Sequence, residues 1–538
     1  MRILWKSLSS RLNRSGKHPQ EERKRQQTKV TPMKRSNQNT WGRSAGVLLP
    51  VFSLPSPYGI GTLGKAAYEF VDFLKEMGHK YWQVLPVGPT SYGDSPYQSY
   101  SAFAGNPYFI DLDVLKEDGL LTQAEIDSGY YGTEPRYVDY GAQFGSRYKV
   151  LRMAFARSRC AETAEFQKFE KEASYWLEDY CLFMAVKECE GYQGWQNWDD
   201  AELRLHKKKA VDRAKEELAD EIAFQKFLQF EFFRQWHKLR AYANEQGVEI
   251  IGDIPLYVSM DSADTWAHSD LFDLDIDHNA QNIAGVPPDA FSEDGQRWGN
   301  PLYRWDVMEQ KDFKWWRERM KATAALYDVI RIDHFIGIVN YWSIPVKCKT
   351  AKGGKWKKGP GEKLTKVIDE SVKGAKIIAE DLGVLTQPVK DLIEKCGYPG
   401  MKVLEFGVAG DSSNGYLMHN YKSPNCIAYV GTHDNETLAG FLAGREEWEI
   451  NWMMGYFGIL KREELHDQMI RKLYESIANV VIIQMQDYLH LDNYCRINHP
   501  ATIGTNWQWR LRPGEMNQVD RKYYRWVCEM FSRLSEKE

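Results

Sequence analysis

Short, nearly continuous apolar runs recur along the chain, and most are followed by a stretch with apolar positions at helical spacing. The runs predict strands at about 45–54 (SAGVLLPVFS), 81–87 (YWQVLPV), 248–257 (VEIIGDIPLY) and 328–334 (DVIRIDH). Four more follow at about 376–382 (KIIAEDL), 401–407 (MKVLEFG), 426–434 (CIAYVGTHD) and 480–488 (VVIIQMQDY). Runs rich in Val, Ile and Leu, without polar alternation, suit strands buried on both faces, as in a parallel sheet. Helical patterns such as AAYEFVDFLKEMG at 66–78 and PVKDLIEKCG at 388–397 fill most gaps. Eight such strands with helical crossovers predict an α/β fold, a (β/α)8 TIM barrel.

The spacing is uneven. The long interval between the second and third strands reads as an inserted, largely helical subdomain at about 110–247. Another long gap holds GVPPDAFSEDGQRWGNPLYRW at 285–305, which has no helical period and is read as an aromatic active-site loop. Residues 1–40 are rich in Arg, Lys, Gln and Ser and read as a disordered basic tail, only weakly like a transit peptide. The catalytic domain is placed at 41–538.

A formal net charge of −4 gives no electrostatic case for nucleic acid or an anionic membrane, and no apolar run is long enough to span one. The eight cysteines are scattered without a CxxC pair, which suits reduced thiols in a cytoplasmic protein. The 19 Trp, 30 Tyr and 23 Phe suit either stacking on sugar rings or a large aromatic core.

Four of the eight predicted strands end on a carboxylate: Asp253, Asp333, Glu380 and Asp434. In a barrel the C-terminal strand ends form one face, so acids far apart in sequence meet there. Cleaving a glycosidic bond with retention needs two carboxyls about 5–5.5 Å apart. Asp333 is the expected nucleophile, because Arg331, two residues back on the same strand face, favours its ionised form. Glu380 is the expected acid/base, its pKa raised toward about 6–7 by the neighbouring acids. Asp381 beside it should face the other way. Asp434 is the expected transition-state stabiliser, with His433 donating to sugar hydroxyls. Substrate contacts are expected from Tyr97, Asp253, Asp289, Trp298, Arg331, His433 and Asn435, and Phe291, Tyr303 and Trp305 add aromatic surface. No metal is expected, since His433-Asp434 lacks further ligands at defined spacing. Gly59-Ile-Gly61-Thr-Leu-Gly64 spells a dinucleotide fingerprint, but the next strand ends in Leu85-Pro86-Val87-Gly88 with no acid for a ribose.

These segments resemble the 4-α-glucanotransferases known as amylomaltases or disproportionating enzymes, family 77 of the glycoside hydrolases. The motifs are GDSPYQSYSAFAGNPYFIDL (93–112), GDIPLYV (252–258), RIDHF (331–335), AEDLG (379–383), GTHDN (431–435), PPDAF…GQRWGNPLY and NWQWR (506–510). The resemblance implies a barrel with inserted subdomains, no cofactor, and malto-oligosaccharide or starch- and glycogen-derived glucan as donor and acceptor. It also implies Asp333, Glu380 and Asp434 as nucleophile, acid/base and stabiliser, and α-1,4 linkage specificity. The chain departs from the commoner pattern at His334-Phe335-Ile336-Gly337, at RINHPAT (496–502) and at LHL (489–491). An α-amylase-like hydrolase or a branching enzyme would use the same acids, and a non-catalytic glucan-binding module is a third reading.

Overall fold

Eight strands, all paired in parallel, form the central sheet of the computed structural model, which describes residues 41–535 apart from 92, 289–291 and 384. They are β1 (Ser44–Leu48), β2 (Tyr81–Gln83), β3 (Glu249–Pro255), β6 (Val329–Asp333), β9 (Lys376–Ala379), β10 (Gly400–Val403), β11 (Cys426–Tyr429) and β12 (Val480–Gln484). Their lateral order follows the chain, with β12 hydrogen-bonded back to β1. Between β9 and β10, Ala379 N donates to Pro399 O at 3.0 Å and Met401 N donates to Asp381 Oδ1 at 2.7 Å, which closes the sheet into a barrel. Every residue of β1 and β12 is buried, as strands walled by helices outside and side chains inside require.

All eight predicted strands are present but shorter than their apolar runs. The run at 426–434 stops pairing at Tyr429 and turns, and that at 480–488 becomes a helix at Met485–Tyr488. The extra apolar residues Val430, Met485 and Tyr488 are buried without extending the ladder, so hydrophobicity overstates strand length there. The expected tail at 1–40, together with Asp289 and Phe291, lies outside the described residues.

Between β2 and β3 the chain runs through successive helices, ending in the long helix Ala219–Glu245. That helix also walls the barrel. Trp236 Nε1 donates to Leu326 O at 2.9 Å, Arg240 pairs with Asp328 at 2.7 Å, and Tyr242 OH donates to Asp72 at 2.6 Å. Gln229 exchanges two hydrogen bonds with the backbone of Gly105. A Cβ at Gly105 would lie 1.9 Å from the Phe232 ring, so only glycine permits that approach.

The segment at 285–305 is not an irregular loop throughout. A four-stranded antiparallel sheet forms in the order β5 (Gln296–Pro301), β4 (Asn282–Val286), β7 (Asn340–Pro345) and β8 (Lys355–Lys358). Asn300 Nδ2 donates to Val258 O at 2.8 Å and ties β5 to the chain leaving β3. Among the described residues no helix is long and apolar enough to cross a membrane.

Candidate active site

The C-terminal strand ends bring the expected acids together. Asp333 is the last residue of β6, and Glu380 directly follows β9. The pairing of Ile332 with Ala379 makes Asp333 and Glu380 the next pair across the two strands. His334 takes a left-handed backbone conformation, φ +53°, and its N–H donates to Glu380 Oε2 at 2.8 Å. A non-glycine residue held there is a local strain of the kind found at functional sites. Asp434 lies five residues beyond β11 rather than on a strand end, in a turn closed by Asn435 Oδ1, which accepts from Thr432 N at 3.0 Å and Thr432 Oγ1 at 2.8 Å.

One polar network runs beneath these acids. Arg331 Nη1 is 2.5 Å from Asp253 Oδ2 and 3.1 Å from Asp333 Oδ1. Tyr97 OH donates to the same Asp253 oxygen at 2.7 Å and lies 2.9 Å from His433 Nε2, which is 3.3 Å from Asp434 Oδ2. Burial raises the Tyr97 phenol well above its usual pKa and lowers that of His433. Tyr97 therefore donates its one proton to Asp253, and neutral His433 carries its proton on Nε2, an assignment inferred from the network. The Tyr97 and His433 rings stack at 5.4 Å and 14°, with Trp507 tilted against both.

The side chains of Asp253, Arg331 and His433 are 0%, 4% and 2% exposed and sit in the floor of the cleft. Asp333 and Asp434 are open to it, with side chains 30% and 45% exposed, and Tyr97, Trp298 and Asn435 are partly exposed. Tyr303 is buried, its hydroxyl donating to Leu256 O at 2.9 Å, while Trp305 stays partly exposed.

Burial pushes the Glu380 carboxyl up to about 6, with Arg331 and the N–H groups of Leu382 and His334 pulling it down. The direction matches the sequence expectation, but the cause is burial more than neighbouring acids. Asp333 differs from expectation. Burial also raises its carboxyl, against the pull of Arg331, which is closer to Asp253. Asp381 turns away as expected, onto Met401 N.

Sequence reasoning missed several supports. Asn498 Nδ2 donates to Asp434 Oδ1 at 2.6 Å, and Arg496 Nη2 donates to the Asp434 carbonyl at 2.7 Å. Trp298 meets the His334 ring edge-on at 4.7 Å and 90°. The RINHPAT and NWQWR segments carried the signal for Arg496, Asn498 and Trp507, but nothing in their pattern names Asp434 as the partner.

A family model described as 4-alpha-glucanotransferase matches residues 49–517. The 4-alpha-glucanotransferase of Clostridium butyricum is 46% identical over 479 residues, covering 88% of this chain and 98% of that protein. That of Thermus thermophilus is 44% identical over 502 residues, covering 91% and 99%. Among solved structures, amylomaltase from Streptococcus agalactiae in complex with acarbose has a TM-score of 0.87 at 39% identity, covering 91% of this chain and 99% of that one.

Proposed function

Because this chain belongs to the 4-alpha-glucanotransferase family, we propose that it transfers α-1,4-glucan segments by double displacement, with Asp333, Glu380 and Asp434 as the catalytic carboxylates. It is a hexosyltransferase acting between malto-oligosaccharides. In the first step Asp333 attacks the anomeric carbon as Glu380 delivers its proton to the departing glycosidic oxygen, leaving a glycosyl ester on Asp333. In the second, Glu380 takes the proton of an acceptor 4-hydroxyl, whose oxygen displaces Asp333. Asp434 stabilises the oxocarbenium-like charge in both steps. The protein's own acids and the sugar hydroxyls balance every proton, so the scheme needs no cofactor.

The observation that carries this reading is the Arg331 guanidinium, 3.1 Å from Asp333. Burial raises both the Asp333 and the Glu380 carboxyls and Arg331 pulls both down, so the cluster holds a proton, which the proposed roles place on Glu380. The partly exposed rings of Tyr97 and Trp298 offer stacking faces for sugars. Asn435 Nδ2 and Asp289 are proposed as further substrate contacts. One catalytic domain from about 41, with a helical insertion at about 110–247 between β2 and β3, is part of the same proposal. The eight free cysteines support a reducing, cytoplasmic setting. Incubation with maltotriose tests the function. Transfer yields glucose together with longer maltodextrins, whereas products no longer than the substrate would refute it.

A further inference from the structure

His466 and Asp467 open the helix Leu465–Glu475, which leads into β12, and His490 follows the helix Met485–Tyr488, which leaves it. These three side chains take no part in the catalytic network. Each offers a ligand atom, and the three atoms lie within 4.8 Å of one another. Asp467 Oδ1 is 2.9 Å from His490 Nε2 and 3.6 Å from His466 Nδ1. A tetrahedral zinc ion with bonds of about 2.0–2.1 Å holds neighbouring donors about 3.3 Å apart. Both separations are therefore close to those of a ligand set, and small side-chain rotations would complete it.

His466 supplies the independent observation. It is 7% exposed, and neither ring nitrogen has a hydrogen-bond partner, since 3.6 Å to Asp467 is too long for one. A buried imidazole left so is unfavourable, and a metal bond at Nδ1 would satisfy the nitrogen facing Asp467. Its ring stacks on that of His490 at 3.9 Å. His490 keeps a left-handed φ of +54°, where glycine is more at ease, and its side chain and that of Asp467 are half exposed, leaving an entry path from solvent. Two imidazoles and one carboxylate suit zinc-class ions better than magnesium or calcium.

We propose that His466, Asp467 and His490 bind one zinc-class divalent ion that ties the start of the helix before β12 to the segment that follows the strand. The chain beyond His490 carries Arg496 and Asn498, which hold Asp434, so the ion would steady that support rather than enter the chemistry.

The test titrates chelator-treated full-length enzyme with zinc sulfate by calorimetry, beside His490→Gly and Asp467→Asn. Glycine suits the backbone at 490, so the first variant should fold. The wild type should bind one more equivalent of zinc than His490→Gly, and Asp467→Asn should bind that equivalent at least about tenfold more weakly. Zinc should raise the thermal midpoint and slow amide exchange across 487–498 in the wild type alone, while zinc-free maltotriose turnover stays equal in all three. Equal zinc stoichiometry in wild type and His490→Gly would overturn the proposal, as would an equal rise in midpoint with magnesium.

Discussion

Burial holds the Glu380 carboxyl up against the pull of Arg331 and two backbone N–H groups, and this ties activity and stability to the same proton. Its folded pKa of about 6 stands above the usual value of about 4.3 for a free glutamate. A group raised in this way contributes stability that is fully present below pH 4.3 and lost as the pH rises through 6. Glu380→Gln removes that dependence. The variant should gain about 2 kcal/mol relative to wild type between pH 4 and pH 8, measurable by denaturant unfolding across that range. Its transfer activity should fall by at least about 10²-fold, the usual contribution of a general acid. In the wild type, kcat/KM should decline as the pH rises through about 6, since the free enzyme then loses the proton it must deliver. A flat profile through that window would remove Glu380 from the role. Arg331→Lys tests the companion group. A single guanidinium nitrogen, Nη1, meets both Asp253 and Asp333, and the shorter, flexible stem of a lysine would not hold its charge at that point, so turnover should fall by about 10²-fold or more.

The element that most distinguishes this mouth is the antiparallel sheet that carries Trp298 on β5. The glycosyl ester can be attacked by a sugar or by water, and a well-placed acceptor with poorly placed water favours transfer. Trp298 stands over His334, next to the proposed nucleophile, and its partly exposed ring is available to an acceptor. Trp298→Ala should raise the ratio of glucose release to maltodextrin redistribution, and an unchanged ratio would count against a role for the ring. This sheet was the least legible part of the sequence. QRWGNP in β5 contains glycine and proline without alternation, KWKK in β8 is mostly lysine, and the two hairpins they belong to are joined only by the pairing of β4 with β7, far along the chain. Lysines on such an edge strand discourage pairing with another chain, which explains the composition but hides the strand. The barrel strands were legible for the opposite reason. VVIIQ in β12 is buried on every side, so its apolar run reports its environment directly. Asp333 and Glu380 could be found because each ends such a run, whereas Asp434 owes its position to Arg496 and Asn498, a relation no local pattern encodes.

At the scale of the molecule, the chemistry depends on a closed barrel, because closure fixes how β6, β9 and β11 deliver their acids. The seam between β9 and β10 is held partly by a side chain, with Asp381 Oδ1 accepting from Met401 N. Asp381→Ala would leave a buried N–H without a partner, costing about 1–3 kcal/mol. It should lower the thermal midpoint and move the pH dependence of kcat/KM only slightly, since Asp381 faces away from the cleft and its charge is the least of the causes that act on Glu380. A strongly displaced pH profile would show that it acts on the acids themselves. The central claim is that Asp333 forms a covalent glycosyl ester that Glu380 must help to resolve. It can be tested by treating Glu380→Gln with α-maltosyl fluoride, whose leaving group needs no acid, followed by quenching and peptide mass mapping. A glycosylated peptide modified at Asp333 is expected; modification at Asp434, or turnover with inversion and no adduct, would contradict a nucleophilic Asp333.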